Sequence, residues 1–107
     1  LEEELTHLVI EGGGPLLKIW DSFLVKRNLT VIKTMADDWR ADLMLHREQR
    51  KAKAAKRNAL MYAARAVEKL SDHKPTSIDE DTAEAILIGV WAMKKLGWIH
   101  RTDEILR

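Results

Sequence analysis

Cysteine is absent from all 107 residues. Its absence excludes disulfides and thiolate metal sites and fits a reducing intracellular compartment. Long apolar runs are missing as well. The longest, Ala85 to Met93, is far too short to span a bilayer. Nothing at the N-terminus joins the charged, apolar and small-residue zones of a signal peptide, so no membrane partner is expected. Net charge is close to zero, formally +1, and by itself says nothing about partners. No internal repeat or low-complexity segment stands out. What is there, 46% hydrophobic and 33% charged, is the make-up of an ordinary globular protein the size of one small domain or part of one. The first residue is Leu1 rather than Met, so native residues ahead of it are expected to have been removed or to be missing.

The distribution of charge carries more than its sum. Arg47, Arg50, Lys51, Lys53, Lys56 and Arg57 crowd one segment against a single acid, Glu48. Asp79, Glu80, Asp81 and Glu84 crowd another with no base among them. Such a pair of segments suits a polyanion held beside a metal site. It suits equally two solvated faces of opposite sign.

Leu5 to Glu11 is an apolar run rich in β-branched residues, closed by Gly12-Gly13-Gly14, and predicts a strand over 5–11 buried on both faces. Pro15 fits a first helical turn. Leu16, Leu17, Trp20, Phe23 and Leu24 then follow at helical spacing, giving a helix over 15–27 with Asn28 as its stop. A second strand is predicted over 29–35. Strand, helix and strand in about thirty residues make a βαβ unit with parallel strands. Asp37 or Asp38 can cap a short helix carrying Trp39, Leu43 and Leu45. A long helix is predicted over 48–70, with Ala52, Ala55, Ala59, Tyr62, Ala66 and Leu70 on one face, stopped by the loop containing Pro75. The last helix is predicted over 79–96, with Gly97 at its C-terminal end. Two parallel strands want neighbours, so the sheet is expected to be incomplete within this chain.

Glu11 stands at the C-terminal end of the first strand, the edge at which open α/β sheets collect reactive groups. Asp81 and Glu84, three residues apart at a helix start, share one face. Converged, these three carboxylates would make a hard, all-oxygen site for Mg²⁺ or Mn²⁺, of the kind that activates water and stabilises a leaving oxygen in phosphodiester cleavage. Each also has a plainer reading. Glu11 suits a solvated strand end, Asp79 and Glu80 suit a helix cap and dipole partner, and the basic run suits a solvated helix face. The four histidines, His7, His46, His73 and His100, have no ligand spacing. Gly12-Gly13-Gly14 lacks the pattern of a nucleotide-binding loop.

Taken in order, these segments resemble the C-terminal part of the RuvC-type Holliday junction resolvases, within the RNase H-like superfamily. The resemblance runs from about Thr6 to Trp98. Its most specific stretch is Asp81-Thr82-Ala83-Glu84-Ala85-Ile86-Leu87, similar to that family's acidic signature on its last helix, with Glu84 where Asp is usual. Ile88-Gly89-Val90-Trp91 is nearest to phage and organellar members. Leu8-Val9-Ile10-Glu11 resembles the middle strand with its catalytic Glu, and Val31-Ile32 through Trp39-Arg40 the next strand and its Trp-basic pair.

The resemblance implies an α/β, RNase H-like fold, incomplete here: a βαβ unit followed by long helices, the first strands lying ahead of this chain together with a further catalytic Asp. It implies catalytic and metal-binding roles for Glu11, Asp81 and Glu84, Mg²⁺ or Mn²⁺ as cofactor, branched DNA as substrate and a two-fold dimer. Arg50, Lys51, Lys53, Lys56 and Arg57 fall where such enzymes place the bases that approach phosphates. The expected function is thus a structure-selective, metal-dependent endonuclease. The rival is a noncatalytic, resolvase-like subunit of a nucleoprotein assembly, with another protein covering the open sheet edge. A third reading is an unrelated small helical regulator.

Overall fold

Leu8-Val9-Ile10 and Val31-Ile32 favour extended chain over helix because branched side chains crowd a helical turn. In the computed structural model of the protein, these segments are paired strands. The structure describes residues 6–12, 18, 19, 22, 29–75 and 77–107, leaving out the side chain of residue 46. Strand β1 (His7–Glu11) pairs in parallel with β2 (Thr30–Thr34), with Val9 opposite Ile32 and Glu11 opposite Thr34. His7 to Ile10 are all half-buried, so neither face of β1 is a fully solvated one. Gly12 continues the pairing by donating to the Thr34 carbonyl at 3.0 Å, with a φ of 105° that a side chain would resist. The predicted helix over 15–27 lies outside the described residues, apart from Lys18, Ile19 and Ser22, which are helical.

The chain divides into two compact units, 1–38 and 39–107. The strands belong to the first. Helix α1 (Ala36–Leu43) begins in the first unit and continues into the second. Asp37 and Asp38 sit within its first turn rather than capping it. Trp39 and Leu43 are buried as expected, but Leu45 falls beyond the helix and is 45% exposed.

The remaining elements belong to the second unit: a 3₁₀ turn (His46–Glu48), α2 (Ala52–Ser71), α3 (Glu80–Lys95) and α4 (Asp103–Leu106). The long helix begins at Ala52, not Glu48. Glu48 is drawn into the 3₁₀ turn because its carboxylate accepts from the Leu45 N–H at 2.7 Å and its carbonyl accepts from Asn58 Nδ2 at 3.0 Å. The predicted apolar stripe of α2 is core only in its middle. Ala59, Tyr62 and Ala66 are buried together with Ala63, whereas Ala52 and Leu70 are exposed. Asp72, in the left-handed conformation that short polar side chains tolerate, ends α2 with its N–H on the Glu68 carbonyl.

Helix α3 packs on α2. Small residues on both helices, Ala63 and Ala66 on α2 and Ala83 on α3, are fully buried and let such backbones approach closely. Leu87, Val90 and Trp91 fill the remaining space. Burying a Leu or Val side chain contributes about 1.5–3 kcal/mol, so this interior is the main source of the unit's stability. Gly97, at φ 78°, closes α3: its N–H meets the Lys94 carbonyl and the Trp98 N–H meets Met93, the paired bonds of a Schellman motif.

Two polar clusters fasten the ends. Trp91 Nε1 donates to Asp42 at 2.7 Å, with Lys95 3.2 Å from the same oxygen. The indole hydrogen bond, helped by Lys95, holds the Asp42 carboxyl below its usual range despite the opposing effect of burial. Glu48 accepts from the Tyr62 hydroxyl and from Arg107, whose guanidinium also donates to Tyr62 at 2.7 Å. Burial alone would raise the Glu48 carboxyl, but Arg107 and the Leu45 N–H outweigh it and leave the group below its ordinary value.

Candidate functional site

The acidic segment is the start of α3. Asp79 is its N-cap: extended in backbone, it accepts from the Thr82 N–H at 2.7 Å. That amide, with the Thr82 hydroxyl, lowers the Asp79 carboxyl below its usual range. Glu80 lies 3.4 Å from Lys56 of α2, both side chains more than half exposed. Asp81 is exposed. Glu84, one turn along, accepts from Arg40 Nη2 at 2.7 Å, with both side chains about 30% exposed. The plain capping role read for Asp79 holds, and Glu80 is a partner of Lys56 across the helix pair.

The basic segment is the start of α2 and the turn before it. Arg50, Lys51, Lys53, Lys56 and Arg57 are all exposed. Lys51 occupies the N-cap position, makes no side-chain cap bond, and no acid stands in the first turn. Among the described residues, Lys56 is the one of these five with a carboxylate within 4 Å. Lys53 and Arg57, four residues apart, repel each other on one helical face. The helix dipole adds its own positive end at the same place. Charges here oppose the helix that carries them, and the Lys56–Glu80 contact sets them beside the acids of α3.

Glu11 is exposed at the C-terminal end of β1, in the first unit, while Asp81 and Glu84 are in the second. Among the described residues, no three His, Asp or Glu side chains are gathered closely enough to hold a metal ion. Asp81 and Glu84 do have the hard oxygen donors and partial exposure that Mg²⁺ or Mn²⁺ requires, but the Glu84 carboxylate is shared with Arg40.

In the sequence Arg40 stands as the basic half of a Trp-basic pair, with nothing to connect it to Glu84. The two are 44 residues apart, and no periodicity links them. The Asp42–Trp91 bond, across 49 residues, was equally invisible. Among the described residues, no helix is long and apolar enough to cross a membrane. No family model, no curated protein and no solved structure matches the chain.

Proposed function

We propose that this chain works in a RuvC-type, metal-dependent endonuclease that acts on branched DNA. The observation that supports it is the start of α2: an uncapped, acid-free helix end bearing exposed cations, joined through Lys56 to the acidic start of α3 at 3.4 Å. Helix stability gives no reason for such an arrangement, since each like charge near the positive end of a helix costs about 0.3–1 kcal/mol. A phosphate backbone gives one. Arg50, Lys51, Lys53, Lys56 and Arg57 would neutralise phosphates, giving affinity that is steeply salt-dependent and largely blind to sequence.

Asp81 and Glu84, with Glu11 as the third carboxylate, are the proposed ligands of Mg²⁺ or Mn²⁺. A bound divalent ion would supply an activated water and a stabilised leaving oxygen. The chain's own residues would hold and orient the backbone. A two-fold dimer, or another protein along the edge of the β-sheet, is the proposed protein partner, in a reducing intracellular compartment.

The test is Mg²⁺-dependent nicking of a synthetic four-way junction by the full-length protein. Glu11→Gln or Glu84→Gln is expected to abolish nicking while leaving junction binding largely intact. Unchanged nicking in both variants would refute the site assignment.

One observation favours a noncatalytic subunit instead. Glu84 is held by Arg40 at 2.7 Å, so one of the proposed ligands already has a partner. In that reading, salt-sensitive junction binding persists with no nicking at any Mg²⁺ concentration.

A further inference from the structure

Beyond its basic start, α2 carries a second pair of cations four residues apart. Arg65 and Lys69 are exposed, and among the described residues neither has a carboxylate within 4 Å. Arg65 donates to the Leu106 carbonyl at 3.0 Å and Lys69 to the Glu104 carbonyl. The Arg65 guanidinium also lies 5.9 Å from the centre of the buried Tyr62 ring. Neutral partners thus fix both side chains and leave their charges uncompensated. The acids of α4, Asp103 and Glu104, are taken up by Arg101. With Arg107 and one acid, Glu68, the two cations line a surface cavity of about 300 Å³, room enough for a phosphate group. Arg107 has Glu48 as its counter-charge, so the positive excess at the cavity comes from Arg65 and Lys69. A carbonyl takes one donor from each, and the donors left over are those a phosphate accepts.

Lys53 and Arg57, at the start of α2, precede Arg65 and Lys69 by the same interval of 12 residues. At 3.6 residues per turn, that interval sets the two pairs about 18 Å apart along the helix and about 120° apart around it. DNA is stiff over about 150 base pairs, so a linear duplex does not wrap around a helix about 10–12 Å wide. A straight duplex seated on the first pair therefore has the second pair turned away from it. Two arms diverging from one branch point can meet both. Resting on the branched-DNA reading proposed above, we infer that Arg65 and Lys69 are a second phosphate-binding point, which takes the backbone of a neighbouring arm and gives the chain a preference for branched over linear DNA. The first pair serves any duplex, and the second adds contacts only where a second arm is present. Contacts joined through one ligand reinforce each other by effective concentration. The selectivity comes from where the charges are placed, without any contact to a base edge.

The experiment measures binding of the full-length protein to a synthetic four-way junction and to a linear duplex of the same number of base pairs, across a salt series without divalent cations. The unaltered protein should bind the junction about tenfold more tightly, with a slope of log affinity against log salt steeper by about 2. Arg65→Gln combined with Lys69→Gln should remove both differences and leave duplex binding as it was. Glu68→Lys spares the two bonds to α4 and adds charge to the cavity, which preserves the test should the double variant fail to fold. It should tighten junction binding several-fold, steepen its slope by about 1, and leave the duplex unaffected. Equal binding of the two DNAs by the unaltered protein, or substitutions that affect both DNAs alike or neither, would overturn the second binding point and leave the proposed function standing. Binding of neither DNA, or binding that ignores salt in the unaltered protein, would overturn both.

Discussion

Helices α2 and α3 lie side by side in the second unit, yet their first turns are built on opposite rules. Helix α3 starts with an Asp cap and adds Glu80 and Asp81 where the helix dipole welcomes negative charge. Helix α2 starts with Lys51, has no acid in its first turn, and places Lys53, Lys56 and Arg57 against the same end of the dipole. The acids of α3 are thus partly explained by folding alone. The bases of α2 are not, and a feature that folding does not explain is the better pointer to a ligand. The comparison moves weight from the acidic segment, the more conspicuous in the sequence, to the basic one.

The largest expected effect tests that shift directly. Replacing Arg50, Lys53 and Arg57 together with Ala should weaken junction binding by about 100-fold near 0.1 M salt and reduce the slope of log affinity against log salt by about 3. The unfolding midpoint should hold or rise, because the removed charges oppose the helix. Binding with an unchanged salt slope would take the start of α2 out of the interface.

A smaller effect separates the two caps. Lys51→Asp should raise the unfolding free energy by about 1 kcal/mol, the usual worth of an N-cap side chain, whereas Asp79→Ala should lower the urea midpoint. Both variants moving the same way would end the contrast between the two helix starts.

How much of this could be read beforehand varies with the range of the interaction. The parallel pairing of Leu8-Val9-Ile10 with Val31-Ile32 was, because strand preference and a short crossover are local properties. So were the limits of α3, where Asp79 and Gly97 announce a cap and a Schellman closure. The start of α2 was not. Ala, Lys and Arg suit a helix from residue 48 onward, and what stops the helix short is Glu48 turning its carboxylate to Leu45 and Arg107. Leu70 kept its place in the apolar period but lies 51% exposed, since periodicity says which face a residue is on and not whether anything covers it. For the site, residue types were readable and partners were not: Arg40 meets Glu84 across 44 residues.

The smallest effect is a pH difference between the same two helix starts. The Asp79 carboxyl is lowered by the amide and hydroxyl of Thr82, so it binds a proton less readily folded than unfolded. Its contribution is complete above the unfolded value of about 3.9 and is lost as pH falls through the lower folded one. Acidification below about pH 4 should therefore speed amide hydrogen exchange at Thr82 and Ala83, after correction for the intrinsic pH dependence, before it does so at Ala55, whose N–H is held by the Lys51 carbonyl. Equal loss at both sites would mean that the cap is not what holds the first turn of α3.

Arg107 reaches across 64 residues to the Leu43 carbonyl and across 59 to Glu48. The second unit is thereby closed on itself: the Arg107 side chain, just past α4, ties back to Leu43 and Glu48, just ahead of α2. The clasp is Glu48, a few residues ahead of the basic start of α2.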